Sequence, residues 1–128
     1  MKLLLDTHIF VWWDSDPNRL SSQAKALCED PTNSLVLSVA SIWEMQIKQQ
    51  FGKLKLRLPL TELIENQKQN NGFEILPINS EHVLFLDNLP RHHKDPFDRL
   101  LIAQASVEKV KLLSADPLFT RYSIEVLS

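Results

Sequence analysis

Short apolar runs at 3–5, 35–38, 74–76 and 111–113, with a further one at 124–127, alternate with longer stretches of helical period. That alternation constrains the fold more than any other feature of the chain. Brief apolar runs suit strands buried on both faces, and strand, helix, strand is the repeating unit of a parallel sheet with helices packed on it. The expected class is α/β, with a mostly parallel sheet of four or five strands flanked by helices. The 128 residues suit one such domain, and 1–128 is read as a single domain.

Capping signals locate the helix starts. Ser41-Ile42-Trp43-Glu44 and Asp95-Pro96-Phe97-Asp98 each place a cap residue three positions before an acid, and Pro96 holds the favoured first helical position. Ser80 is a weaker cap for a helix over 81–88. Residues 97–107 are apolar nearly all round, which places that helix against the sheet. Helices are also expected over 22–29, with Cys28 a buried thiol, and over 61–70. The alternation of Lys and Leu across 53–60 suits a short strand or an extended loop ending at Pro59. Trp43 is expected in a core, and one of Trp12 and Trp13 is expected to face a partner.

Composition excludes several functions. The chain has two glycines, Gly52 and Gly72, too few and too far apart for a phosphate-cradling or dinucleotide-binding loop, where backbone approaches phosphate without a Cβ in the way. Phosphate must then be handled by side chains or by metal. A single cysteine, Cys28, excludes an intrachain disulfide and a cysteine zinc site and fits a reducing compartment. Acids interrupt the apolar N-terminal run, and no stretch approaches the roughly 18 apolar residues of a membrane span. A cytoplasmic location is expected.

Ligands of parallel α/β sheets bind outside the carboxyl ends of the strands. Asp6 follows the first expected strand, Asp116 follows the fourth through Ser114-Ala115, Glu44 opens the helix after the second, and Asp98 opens the apolar helix. All four can converge on one edge. Clustered carboxylates repel unless a cation sits among them, and an oxygen-only set suits Mg²⁺ or Mn²⁺. Such ions activate water and neutralise a phosphate under in-line attack, which is phosphodiester hydrolysis. Each acid also has a plain structural role open to it: Glu44 and Asp98 as capping-box partners, Asp6 as a helix cap, Asp116 in a turn.

The segments Leu3-Leu4-Leu5-Asp6-Thr7-His8, Ser38 to Glu44, His93 to Ala105, and Leu113-Ser114-Ala115-Asp116 with Phe119 resemble the PIN-domain ribonucleases of toxin–antitoxin systems, the VapC type. The resemblance implies a PIN-like three-layer fold and a metal-dependent endoribonuclease acting as a toxin. Asp6, Glu44, Asp98 and Asp116 take the places of the catalytic acids that bind one or two Mg²⁺ or Mn²⁺ ions. Asp95 belongs to the same block as a cap or supporting acid. Thr7 is placed to orient water or phosphate, Arg99 to contact phosphate or pair with Asp95, and His93 to assist proton transfer or to hold the helix flank. Pro117-Leu118-Phe119 offers no fifth ligand. An RNA substrate, a cognate antitoxin protein and a homodimer are the implied partners, with no membrane.

The net charge of −2 is uninformative as a total, but setting aside Asp6, Glu44, Asp95, Asp98 and Asp116 leaves 14 bases against 11 acids. Lys48, Lys53, Lys55 and Arg57, and Lys94 directly before Asp95, are the candidate RNA-binding bases. Three other readings compete. A magnesium-dependent phosphatase with an aspartyl nucleophile would carry an acid where His8 stands. A receiver module would carry adjacent acids where Asp6 is followed by Thr7. The third is an inactive RNA-binding module on the same fold.

Overall fold

A computed structural model describes residues 1–128. The chain runs β1 (Lys2–Leu5), α1 (Thr7–Ser15), α2 (Ser22–Glu29), β2 (Ser34–Ser38), α3 (Val39–Gln50), α4 (Leu60–Asn71), β3 (Glu74–Leu76), α5 (Ser80–Phe85), α6 (Pro96–Glu108), β4 (Lys111–Leu113) and β5 (Val126–Leu127). The five strands form one sheet in the order β3-β2-β1-β4-β5, and every pairing is parallel. Short 3-10 turns occupy Pro17–Arg19, Leu86–Asn88 and Pro117–Arg121. No helix is long and apolar enough to cross a membrane.

Strand periodicity builds two cores from one sheet. Successive strand side chains point to opposite faces, so Leu3 and Leu5 join Leu35, Leu37 and Leu113 on one side, where Ile9 and Phe10 of α1, Ala24 and Cys28 of α2 and Leu63 of α4 cover them. Leu4, Val36 and Leu112 face the other way, onto Leu101, Ile102 and Ala105 of α6 with Phe119 and Tyr122. The result is three layers, helix, sheet, helix. Each fully buried Leu, Ile or Phe contributes about 1.5–3 kcal/mol of apolar transfer, and Leu3, Leu4 and Leu5 are all at 0% exposure, which anchors both layers on β1.

Several local expectations are corrected. The α3 cap is Ser38, whose hydroxyl accepts from Ala40 N–H at 2.9 Å; β2 runs into α3 with no loop, and Ser41 lies inside the helix. Asn79, not Ser80, caps α5, with His82 returning a bond to the cap. The region expected as a helix over 81–88 ends as α-helix at Phe85 and tightens into the Leu86–Asn88 turn. The last strand is confined to Val126–Leu127. Trp43 is 54% exposed rather than in a core. Of the two forms expected for residues 53–58, the extended loop is the one taken: Leu54, Leu56 and Leu58 lean half-buried on the first core while Lys53, Lys55 and Arg57 stay exposed.

Candidate active site

From β1 the chain moves outward through β2 to β3, then returns to the other side of β1 for β4 and β5. The direction of winding reverses at β1, and the crevice outside its carboxyl end is where such sheets bind ligands. Asp6 stands at that end. Its backbone N–H donates to Leu113 O at 2.9 Å, tying it to β4. It holds the N-cap position of α1 but makes no side-chain cap bond; instead its Oδ2 accepts from the Ser114 hydroxyl at 2.8 Å. Ser114 in turn accepts from the Asp116 N–H at 3.0 Å. One hydroxyl therefore sets the spacing of two acids. The sequence reading did not single out Ser114; its signal was its place between β4 and Asp116.

Asp116 caps the 3-10 turn after β4 through Leu118 N–H at 2.9 Å, and its other oxygen takes His93 Nε2 at 3.0 Å. A carboxylate only accepts, so Nε2 carries the proton and Nδ1 is left for the Tyr122 hydroxyl at 3.1 Å. The imidazole lies between Phe119 and Tyr122, with ring centroids at 4.5 and 5.5 Å. His93 is thus buried and fixed as a positioning residue for Asp116. Tyr122, absent from the sequence reading, completes that support. Burial alone would raise the Asp116 carboxyl, but the Leu118 N–H, the His93 bond and the nearby His93 and His8 rings hold it below the ordinary value.

Glu44 sits in the second turn of α3 and is buried. Its Oε1 accepts from Thr7 Oγ1 at 2.8 Å and its Oε2 from Lys48 Nζ at 2.7 Å. Since the Thr7 proton goes to the carboxylate, the 2.9 Å contact between Thr7 and Ser41 is a bond the Ser41 hydroxyl donates. Thr7 therefore orients Glu44. The carboxylates hold the proton on Lys48: burial lowers its pKa, yet the bond and charge of Glu44, with Asp95 and Asp98 behind it, raise it overall.

Asp98 lies in the first turn of α6. Its pKa is pushed up to about 7, first by burial and then by the charges of Asp95, Asp6, Glu44 and Asp116, and its carboxyl accepts no hydrogen bond. All five acids thus share one field. Asp6 is also raised, by burial above all, with the Ser114 bond and the His8 ring opposing and Glu44 adding to it. Asp95 caps α6 through Phe97 N–H at 2.8 Å. Neither Glu44 nor Asp98 makes the capping-box bond open to it from its spacing.

The other expected residues divide. Arg99 donates to Pro90 O at 3.0 Å and Leu86 O at 3.1 Å, so it ties the loop before α6 and pairs with no acid. Arg57 is held by Asp14 at 2.8 Å and Asn66 at 3.0 Å, away from the crevice. Lys48 and Lys94 line a cavity of about 360 Å³ with Glu44, Asp95 and Phe97. Lys53 and Lys55 line a second cavity with Thr7 and Lys48. An apolar groove of about 490 Å³ between α3 and α4, lined by Ile42, Trp43, Leu60 and Ile64, contains none of the five acids.

The donor set fits a hard divalent cation. Ligand atoms of His93, Asp98 and Asp116 lie within 4.8 Å of one another. His93 spends Nε2–H on Asp116 and Nδ1 on Tyr122, which leaves Asp98 and Asp116 as the pair facing the crevice, with Asp6 joined to them through Ser114. The carboxyls of Asp98 and Asp6 are raised by burial and like charge, and a cation held among them would relieve both.

Comparison with known proteins agrees with this architecture. Ribonuclease VapC22 of Mycobacterium tuberculosis (strain ATCC 25618 / H37Rv) is 26% identical over 116 residues, covering 89% of this chain and 86% of its own. A chain in the crystal structure of VapBC2 from Rickettsia felis, bound to a DNA fragment from its promoter, superposes with a TM-score of 0.72 at 16% identity, over 99% of this chain and 98% of that one. VapBC-5 from Mycobacterium tuberculosis, a member of the VapBC family of toxin-antitoxin systems, superposes with a TM-score of 0.61 at 15% identity, over 98% of this chain and 97% of that one. The PIN domain family model matches residues 3–125, and the chain belongs to that family.

Proposed function

We propose that this protein is a metal-dependent endoribonuclease, the toxin of a toxin–antitoxin pair, acting as a single cytoplasmic domain that forms a homodimer. The observation that carries the reading is Asp98: a carboxyl with no partner, raised to about 7 by burial and the surrounding acids, at the crevice where the sheet changes direction. A fold does not need such a group, whereas a cation-dependent phosphodiesterase does. Supporting it are the likeness to a protein named as a ribonuclease and to members of toxin-antitoxin complexes.

Asp6, Asp98 and Asp116 would hold Mg²⁺ or Mn²⁺, one ion or two, with Glu44 as the fourth acid. When bound, the ion supplies charge to offset the phosphate and acidity to bring a water towards neutral pKa. The chain's own residues do the positioning. Ser114 keeps Asp6 and Asp116 at fixed separation, His93 aims the Asp116 carboxylate, and Thr7 with Lys48 fixes both oxygens of Glu44. Water adds to phosphorus and the P–O3′ bond breaks, giving a 5′-phosphate and a 3′-hydroxyl. Preorganised supports of this kind remove the reorganisation that charge development would otherwise demand.

Single-stranded RNA incubated with the protein and Mn²⁺ or Mg²⁺ should be cut to 5′-phosphate ends, and EDTA should stop it. Asp98→Asn should fold and lose about 100-fold or more in rate. Full activity in EDTA, or in Asp98→Asn, overturns the proposal. The competing structural role for Asp98, as a capping partner, predicts the reverse: lower stability with unchanged activity.

A further inference from the structure

A cavity of about 530 Å³ opens between α1 and the 51–58 segment. Its inner end is formed by Thr7 and Lys48, the two residues bonded to Glu44, so it leads directly out of the carboxylate crevice. Its walls carry Arg19, Lys48, Lys53 and Lys55 against one acid, Asp16. Of these bases Lys48 alone is ion-paired; Arg19, Lys53 and Lys55 have no carboxylate partner. Arg19 is instead stacked over the Trp12 ring at 4.7 Å from its centroid, and His8 meets the same indole at 6.0 Å.

The fold has no use for this arrangement. The half-buried Leu54, Leu56 and Leu58 anchor the segment to the core, and the alternate bases project outward as a consequence. Arg57, next in that row, is neutralised by Asp14, while Lys53 and Lys55 are left facing Arg19 across the groove. Unpaired like charges on facing walls repel one another, and a polyanion relieves that repulsion. The flat cation held on Trp12 offers a stacking surface as well as charge, the combination that accepts an unpaired nucleotide.

We propose that this groove is the track for the single-stranded RNA flanking the scissile phosphate, with backbone phosphates along Lys53, Lys55 and Arg19 and a base against the Trp12–Arg19 stack. The proposal rests on the ribonuclease reading and adds a path and a direction to it: the strand leaves the acids over Thr7 and Lys48, towards Arg19.

The test is binding of a fluorescein-labelled 20-nucleotide single-stranded RNA, followed by anisotropy in EDTA across a salt series, so that cleavage plays no part. Lys53→Gln with Lys55→Gln should weaken binding about tenfold at low salt and reduce the salt slope by about 1.4, since each phosphate contact to a single strand contributes roughly 0.7. Arg19→Gln should weaken it further. A charge-matched control, Lys68→Gln with Lys109→Gln, should change affinity less than twofold. Hydrolysis of bis-p-nitrophenyl phosphate with Mn²⁺, which needs only the acids, should match wild type in all of these variants. Groove variants that bind RNA as the control does overturn the track. So does retained RNA affinity with lost binding to a labelled poly-glutamate 20-mer, which assigns the groove to an acidic polypeptide. Absence of hydrolysis by the wild type alongside groove-dependent RNA binding would defeat the ribonuclease reading and leave the track standing.

Discussion

Asp98 is the acid with least to do in the fold and most to do in the proposed chemistry, and its titration makes that difference measurable. Its carboxyl rises from 3.8 to about 7 on folding, so between those values the folded protein binds a proton that the unfolded chain has released. Stability therefore falls as pH rises through that window. The raised Asp6 pushes the same way, while Asp116, held low, contributes stability that is lost only as pH falls below its ordinary value. In metal-free protein the melting temperature attributable to this site should drop between pH 5 and pH 8. Asp98→Asn should flatten that drop, and saturating Mn²⁺ should remove it from the wild type. Scanning calorimetry at the two pH values checks this; equal slopes for wild type and Asp98→Asn would show that the raised carboxyl is not coupled to folding.

Helix α6 separates capping from the proposed catalysis within four residues. Asp95 satisfies the Phe97 N–H and Pro96 removes an orphan donor, while Asp98, a turn away from neither, stays unbonded. Asp95→Ala should destabilise the protein by about 1 kcal/mol through loss of the cap, whereas Asp95→Asn keeps an accepting oxygen and should cost less than half of that in urea denaturation. This helix start was legible because Asp-Pro leaves one reading. At α3 the pattern misled: Ser41 and Glu44 have capping-box spacing, yet Ser41 is spent on Thr7 and the cap is Ser38. The buried positions of α3 are Ala40, Ser41, Glu44 and Met45, so the polar site residues occupy the inward face and Trp43 is turned out. Amphipathic reading fails where the site itself supplies the burial. At α5 the cap was displaced to Asn79 because the returning bond comes from a histidine rather than a Glu or Gln. The acids were legible from their places at strand and helix ends. Their supports were not: Ser114 to Asp6, Thr7 to Glu44 and Tyr122 to His93 are bonds between residues far apart in the chain, which local spacing does not encode.

At the scale of the whole molecule, β1 is the member on which both cores and the site depend. Leu4 pairs with Val36 and Leu112 and is wholly buried beneath α6. Leu4→Ala should lower stability by about 2–5 kcal/mol, the range for large-to-small changes in such cores. Tryptophan fluorescence, with Trp12 and Trp13 packed on the opposite core, and far-UV circular dichroism should report a single transition with the same shifted urea midpoint; separate midpoints would show that the two layers unfold independently. The bond from Ser114 to Asp6 spans 108 residues, and its consequence belongs to biosynthesis. With elongation at about 5–20 residues per second, roughly 5 to 20 s separate the appearance of Asp6 from that of the hydroxyl that fixes it. Throughout that interval the nascent chain has its first acid but not the β4 edge that turns acids into a site. The proposed site is thereby incomplete while the chain is being made, and is assembled only when the last strands settle beside the first.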